Sequence, residues 1–241
     1  VHTFAVFAAG RTYDQIRNSV AYPGLNVKII GSHAGLTVGE DGASHQCIED
    51  ISLMRTIPKM TVIVPCDSHE TRLATKAVLE YEGPCYLRTG RCALDCVTDN
   101  FENYKFEIGK GVQLVDGTDV TIIACGLMVQ ESLKAEKILE AEGINARVID
   151  MHTIKPIDRD IIIKAAKETG AIVTAEEHNV IGGLGGSVSE VIVGSEPVPI
   201  EFIGVEDKFG HSGAPKELLE SFGLTPEHIA AAAKQAIQRK K

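Results

Sequence analysis

The stretch V-K-I-I-G-S-H-A-G-L-T-V-G-E-D-G-A-S-H-Q, residues 27–46, decides the fold class of this chain. It opens with an apolar run, Val27–Ile30, which predicts a short buried strand, and it continues as a glycine-rich segment. Similar runs follow at Thr61–Val64 and Cys85–Arg88, with helical patterns between the three runs. Strands that alternate with helices predict a parallel sheet covered by helices, which is an α/β fold.

The same rhythm returns in the second half of the chain. Strand patterns lie at Asp119–Ala124, Ala146–Asp150, Ala171–Ala175 and Pro199–Ile203, and each is followed by a helical pattern. Residues 95–106 between the halves are polar and have no periodicity, which is typical of a linker. We therefore predict two α/β domains with mainly parallel sheets, at 1–98 and 107–241, joined by a linker at 99–106.

Composition excludes several classes of protein. The 241 residues carry a formal charge of −9, which argues against binding to nucleic acid or to an anionic membrane surface. No signal peptide or transmembrane run is visible. The six cysteines form no C-x-x-C pair, so we expect free thiols, a cytoplasmic location and no metal site within this chain. Because apolar sequence begins at Val1, we expect the chain to start inside a domain.

Polar side chains follow two of the predicted strands. His33, Asp41 and His45 follow the first strand, Arg88 ends the third strand, and Arg91 comes shortly after it. Ligands of open α/β sheets bind at the carboxyl ends of the strands, where histidine exchanges protons and arginine captures phosphate. The alternatives are an ordinary surface loop and an arginine that caps the sheet.

Two further patterns allow both a structural and a functional interpretation. Phe4 and Phe7 suit either core packing or an aromatic wall for a planar ring. The run Glu176–His178 before a glycine-rich turn suits either a tight strand-to-helix crossing or an anion site at a helix N-terminus.

These strings together resemble the transketolases. T-F-A-V-F-A-A-G-R, S-H-A-G-L-T-V-G-E-D-G-A-S-H-Q and I-P-K-M-T-V-I-V-P-C-D are similar to the pyrimidine-binding domain of that family. D-V-T-I-I-A-C-G, V-I-D-M-H-T-I-K-P-I-D and A-E-E-H-N-V-I-G-G-L-G are similar to its carboxy-terminal domain. The resemblance covers almost the whole chain and is closest to the split, two-gene transketolases of some prokaryotes.

The resemblance implies a function and a role for each candidate residue. Transketolases transfer a two-carbon ketol unit between sugar phosphates of the pentose phosphate pathway, and they use thiamine diphosphate and Mg²⁺. The resemblance implies that Phe4 and Phe7 pack on the pyrimidine ring of the cofactor. It implies that His33, with Arg88 or Arg91, binds the sugar phosphate. Asp41 and His45 would contact the reacting part of the substrate. The resemblance leaves the choice between the two arginines open, with Arg88 preferred.

Two parts of the family pattern are missing from this chain. The glutamate that activates thiamine would precede Val1, and no Gly-Asp dipeptide is present to hold the diphosphate and Mg²⁺. We therefore expect an amino-terminal subunit or domain to hold the diphosphate and Mg²⁺, a homodimer through both domains of this chain, and no ketol transfer by this chain alone. The alternatives are 1-deoxyxylulose-5-phosphate synthase, a β chain of a 2-oxo acid dehydrogenase, and a non-catalytic dimerisation fragment.

Overall fold

The structure, a computed structural model, describes residues 1–102 and 104–240. Asn103 of the predicted linker and Lys241 at the end of the predicted second domain lie outside the described residues. Two five-stranded α/β sheets form the described part, as the alternating pattern predicts. The predicted boundary at 99–106 stays a prediction, because one strand of the second half crosses to the sheet of the first half.

The first sheet has the strand order β1-β2-β4-β3-β8, and its first four strands are parallel. These four are β1 His2–Phe4, β2 Lys28–Ser32, β3 Thr61–Ile63 and β4 Cys85–Arg88. Their helices are α1 at residues 6–21, α2 Asp50–Thr56 and α3 Ser68–Glu80. Helix α1 is π-helical over Val6–Arg11 and Ile16–Ala21, a rare geometry that is frequent at functional sites.

The second sheet has the order β10-β9-β6-β7-β5, and only β5 runs antiparallel to its neighbour. Its strands are β5 Val112–Val115, β6 Val120–Ala124, β7 Ala146–Asp150, β9 Ile172–Asn179 and β10 Ile200–Val205. Its helices are α4 Met128–Ala141, α5 Arg159–Thr169, α6 Leu184–Val193, α7 Pro215–Ser221 and α8 Pro226–Gln238. All four strands predicted for this half are present.

Strand β8, Thr153–Lys155, belongs to the second half in sequence but pairs antiparallel with β3 of the first sheet. Val62 is opposite Lys155 and Ile63 is opposite Thr153. Strands β8, β1 and β5 were not predicted, because none of these three segments is a continuous apolar run. One apolar core joins the halves as well, since Tyr86 and Ile123 belong to the same buried cluster.

Helix α2 begins at Asp50, and the Gln46 side chain, four residues earlier, donates to the loop carbonyls of Leu36 and Gly39. All six cysteines are free thiols, as expected. Within the described residues, no helix is both long enough and apolar enough to cross a membrane.

Candidate functional site

The glycine-rich loop after β2 is a compact, largely buried structure. A 3₁₀-helical stretch, Leu36–Asp41, forms its centre, and Gly35 enters it with φ +87°. The Gln46 amide closes the loop by donating to the carbonyls of Leu36 and Gly39, at 3.1 and 3.3 Å. Glycine tolerates positive φ without the Cβ clash of other residues, so it allows this path. The ordinary-surface-loop interpretation therefore does not describe this segment.

A carboxylate from the second half of the chain supports the loop from below. Glu177 on β9 accepts a hydrogen bond from the backbone N–H of Thr37 at 2.6 Å. A Cβ on Gly35 would lie 2.3 Å from the carboxyl carbon of Glu177, so only glycine fits at this position. Burial raises the pKa of Glu177, against the opposing attraction of Arg88. The loop is thus positioned by a residue that lies 140 positions away in the sequence.

Four aromatic rings meet beside this loop. The rings of Phe4 and Phe7 are nearly parallel, with 6.0 Å between centroids, and His33 stacks on Phe4 at 4.0 Å. His45 approaches the edges of Phe4 and Phe7 at 6.2 and 5.7 Å. All four side chains are partly exposed. The structure thus brings both predicted aromatic residues and both predicted histidines to one place.

Short polar residues orient these two histidines. Ser32 Oγ is hydrogen-bonded to His2 Nε2 at 2.9 Å and to His33 Nδ1 at 3.1 Å. Ser44 Oγ is hydrogen-bonded to His45 Nδ1 at 3.0 Å. Among the described residues, Nε2 of neither loop histidine has a hydrogen-bond partner. The sequence analysis missed His2, Ser32 and Ser44, although two of them directly precede a predicted histidine.

Arg91 and Asp41 lie at the open side of the same site. The Arg91 guanidinium is 3.4 Å from the Asp41 carboxylate and 3.8 Å from that of Glu40, and its side chain is 42% exposed. Burial, and then the positive charge of Arg91, lower the pKa of His33 below its usual value. A neutral His33 beside a cationic Arg91 suits the recognition of an anionic group.

Arg88 has a different environment from Arg91. Its side chain is 5% exposed, and its Nε donates to both carboxylate oxygens of Asp50, at 3.1 and 2.9 Å. Its Nη2 donates to the carbonyl of Glu177 at 2.9 Å, while the Tyr86 hydroxyl donates to Asp50 at 2.8 Å. Burial by itself lowers the pKa of Arg88, but Asp50 and Glu177 outweigh this effect and raise it. Arg88 therefore joins the two halves inside the core.

Glu176 and His178 have structural contacts on either side of Glu177. The Glu176 carboxylate accepts from the backbone N–H groups of Leu184 and Gly185, at 2.7 and 2.8 Å, so it fills the N-terminus of α6 itself. Nε2 of His178 accepts from the backbone N–H of Ser52 at 3.3 Å. Of the two interpretations of this run, the structure favours a tight strand-to-helix crossing. The end of β9 is also hydrogen-bonded to the first half of the chain.

The Phe4 and Phe7 rings offer the kind of surface that a planar heteroaromatic ring needs, so they fit the pyrimidine part of the implied cofactor. The Arg11 guanidinium lies over Phe7, 4.7 Å from the ring centroid. The described residues include one cluster of three metal-ligating side chains, Cys66, Glu70 and Asp150. Its thiol is not a ligand that Mg²⁺ prefers, so this cluster does not fit the implied metal.

Comparisons with known proteins show which family this chain resembles. The family model described as the transketolase pyrimidine binding domain matches residues 1–95, and that of the transketolase C-terminal domain matches residues 109–229. A Methanocaldococcus jannaschii protein that is described as a transketolase C-terminal section is 51% identical over 229 residues. The match covers 95% of this chain and 72% of that protein. The sulfofructose transketolase subunit SqwH of a Clostridium species is 45% identical, over 99% of this chain and 74% of its own.

A solved structure shows the same fold. It is described as a split-gene transketolase in the form of an inactive β4 tetramer, and it is 50% identical to this chain with a TM-score of 0.93. The match covers 100% of this chain and 76% of that one.

Proposed function

The chain belongs to the transketolase family, of which it spans the pyrimidine-binding and carboxy-terminal domains, and we propose that it acts as one chain of a two-chain, thiamine-diphosphate-dependent transketolase. The reaction we assign is transfer of a two-carbon ketol unit from a ketose phosphate to an aldose phosphate. The thiamine diphosphate supplies the carbanion chemistry when it is bound, and the protein orients the substrates and moves protons.

One observation carries the proposal: the loop and the first strand bring ring-binding, proton-transferring and anion-binding side chains to one edge of the sheet. Phe4 and Phe7 are the wall for the pyrimidine ring. His45, which lies against both rings, is placed to exchange a proton with the donor sugar near the pyrimidine. Asp41, at the open side, is assigned to a substrate hydroxyl.

Arg91 together with His33 is our proposed phosphate site, in place of the Arg88 that the sequence analysis preferred. The Arg91 guanidinium is partly exposed and lies close to His33, whereas the Arg88 guanidinium already binds a buried carboxylate. Moving Arg88 to a ligand would leave the charge of Asp50 buried and unpaired, which costs several kcal/mol, about 3–5. The neighbouring acids Glu40 and Asp41 keep Arg91 in place until an anion competes for it.

The diphosphate and its Mg²⁺ are assigned to a partner chain, because the sequence carries no Gly-Asp motif and the described metal-ligating cluster contains a thiol. The activating glutamate is assigned instead to the segment that directly precedes the T-F-A-V-F string in the family pattern. The relative of known structure is described as a split-gene transketolase in an inactive β4 tetramer, which supports a complex of separate chains and self-association of this one. We assign that self-association to both domains. The location we propose is the cytoplasm, where sugar phosphates are available.

The test is reconstitution of this chain, extended by the glutamate-bearing segment that precedes it in the family pattern, with a diphosphate-binding amino-terminal transketolase chain. We expect this chain to co-purify with that partner, and the mixture to convert xylulose 5-phosphate and ribose 5-phosphate when thiamine diphosphate and Mg²⁺ are present. We expect neither chain to do so separately. Full turnover by this chain without a partner would contradict the two-chain proposal.

The alternative functions give different outcomes in the same experiment. Activity with pyruvate as the donor, and none with a ketose phosphate, would identify a 1-deoxyxylulose-5-phosphate synthase. Pyruvate-dependent acyl transfer would identify a 2-oxo acid dehydrogenase β chain. Complex formation without any turnover would favour a non-catalytic dimerisation fragment.

A further inference from the structure

A second group of polar side chains lies where α3 of the first half meets the end of β7 in the second half. Cys66 lies two residues before α3 and Glu70 in its first turn, while Asp150 ends β7 and His152 follows it. All four residues are buried. One ligand atom each of Cys66, Glu70 and Asp150 lies within 4.8 Å of the other two. None of the four takes part in the ketol-transfer site proposed above.

The two carboxyl groups lack a counter-charge. Within the described ion pairs, their one basic neighbour is His152, whose Nε2 lies 4.0 Å from Glu70 Oε1. The Tyr104 hydroxyl contacts both Glu70 Oε1 and Asp150 Oδ2, but its single hydrogen satisfies only one of them. Burying two carboxylates in this way is very unfavourable unless a cation or protons neutralise them.

Two atoms at the cluster have no hydrogen-bond partner. Among the described residues, His152 Nε2 and Asp150 Oδ1 are both buried and unpaired. The other ring nitrogen of His152, Nδ1, is hydrogen-bonded to Thr153 Oγ1 at 2.9 Å, and Phe106 stacks on the ring at 4.1 Å. This arrangement fixes the imidazole and leaves Nε2 facing Glu70, and in the tautomer that donates from Nδ1 to Thr153, Nε2 offers its lone pair as metal-binding histidines do.

We propose that Cys66, Glu70, Asp150 and His152 form a structural binding site for a zinc-class divalent cation that joins the two halves of the chain. Sulfur, imidazole nitrogen and carboxylate oxygen are the ligands that zinc accepts, whereas the thiol disfavours Mg²⁺ and Ca²⁺. Cys66 Sγ and Asp150 Oδ2 are 3.7 Å apart, against about 3.5 Å for ligands of tetrahedral zinc with usual bond lengths.

Cys66, Glu70 and Asp150 already meet within 4.8 Å, and His152, whose Nε2 is 4.0 Å from Glu70 Oε1 but outside that group, is the proposed fourth ligand and must move closer as the ion binds. Four protein ligands make this a closed site. It leaves no position for a substrate, so the ion is structural. Binding would release the proton of the Cys66 thiol to solvent and replace the repulsion between the carboxylates with attraction to the ion. The Tyr104 hydroxyl then donates a hydrogen bond to the Asp150 carboxylate and keeps it oriented toward the ion.

The test uses the full chain and the metal alone. Because the site is buried, the protein is unfolded in denaturant with a chelator, refolded with or without Zn²⁺, and desalted. We expect about one zinc per chain by mass spectrometry, and a higher Tm for the zinc-loaded protein. Refolding with Co²⁺ is expected to give a thiolate-to-cobalt charge-transfer band.

Variants separate this site from adventitious binding. Cys66→Ser is expected to lose the charge-transfer band and at least about tenfold in zinc affinity, while Cys85→Ser, which alters a buried thiol outside the cluster, keeps both. Glu70→Gln provides a second comparison should Cys66→Ser fail to fold. A wild-type chain that retains no zinc and shows no Tm change overturns the proposal, and protons then neutralise the carboxyl pair. Equal zinc binding by wild type, Cys66→Ser and Glu70→Gln overturns it as well.

Discussion

The carboxylate of Glu177 accepts the backbone N–H of Thr37 at 2.6 Å, so the second half of the chain positions the loop that carries the candidate site in the first. The contact is buried and lies directly under Gly35. The site therefore requires both halves, although the proposed ligand-binding side chains all come from the first.

Gly35→Ala should damage this contact. The alanine would have to adopt the φ of +87° that Gly35 has, and its Cβ would lie 2.3 Å from the carboxyl carbon of Glu177. We expect a loss of about 2 kcal/mol or more in the free energy of unfolding, measured by urea denaturation. Gly90→Ala is the matched control, because no atom lies within 4 Å of its added Cβ. Equal effects of the two changes would contradict this account of the loop.

Arg88→Ala and Arg91→Ala should differ in stability. Removing Arg88 leaves the Asp50 carboxylate buried without its ion-pair partner, so we expect a loss of about 3–5 kcal/mol. Removing Arg91, which is half-exposed, should change the free energy of unfolding by no more than about 0.5 kcal/mol. Urea denaturation of both variants checks this, and a destabilised Arg91→Ala would show that we have misassigned the two arginines.

In the reconstituted enzyme, Arg91→Ala and His33→Ala should mainly raise KM for phosphorylated substrates. A hydrogen bond to a charged group contributes about 1.5–3 kcal/mol, which corresponds to an increase in KM of roughly 10- to 150-fold. Steady-state kinetics with a phosphorylated and an unphosphorylated acceptor measure this, and the unphosphorylated acceptor should show little change. A fall in kcat with both acceptors at constant KM would remove the phosphate assignment.

The stability of Glu177→Gln relative to wild type should depend on pH. Because burial raises the pKa of Glu177 above the ordinary 4.5, the folded chain holds this proton more tightly than the unfolded chain. Its contribution to stability is therefore fully present below pH 4.5 and is lost as pH rises through the folded pKa. Glutamine does not titrate. The free energy of unfolding of the variant, relative to that of wild type, should therefore rise by up to about 1.4 kcal/mol per pH unit in that range.

Urea denaturation at several pH values measures this difference. Glu206→Gln, which removes an exposed carboxylate, is the control for the change in net charge. A difference between Glu177→Gln and wild type that stays constant from acid to neutral pH would show that Glu177 is charged without penalty in the fold.

Most of the α/β pattern could be predicted from local sequence. The strands β2, β3, β4 and β7 lie within a residue or two of their predicted bounds, because a continuous apolar run identifies a buried strand by itself. Strand β8, T-I-K, is not an apolar run and is defined by its pairing with β3, so no local pattern predicted it. The candidate residues after β2 were predictable because chemistry collects at the carboxyl ends of parallel strands.

The sequence by itself determined the α/β class, the family resemblance and the location of the candidate loop, because each depends on neighbouring residues. Only the tertiary structure decided that Arg88 lies in the core and Arg91 in the open, since Arg88 ends β4 and Arg91 comes only three positions later. It also decided that Glu177 supports Thr37 across 140 positions and that Cys66 meets Asp150 across 84. Which side chains are buried, and which pair across such long separations in sequence, depends on how the two sheets pack. Local periodicity does not predict that packing.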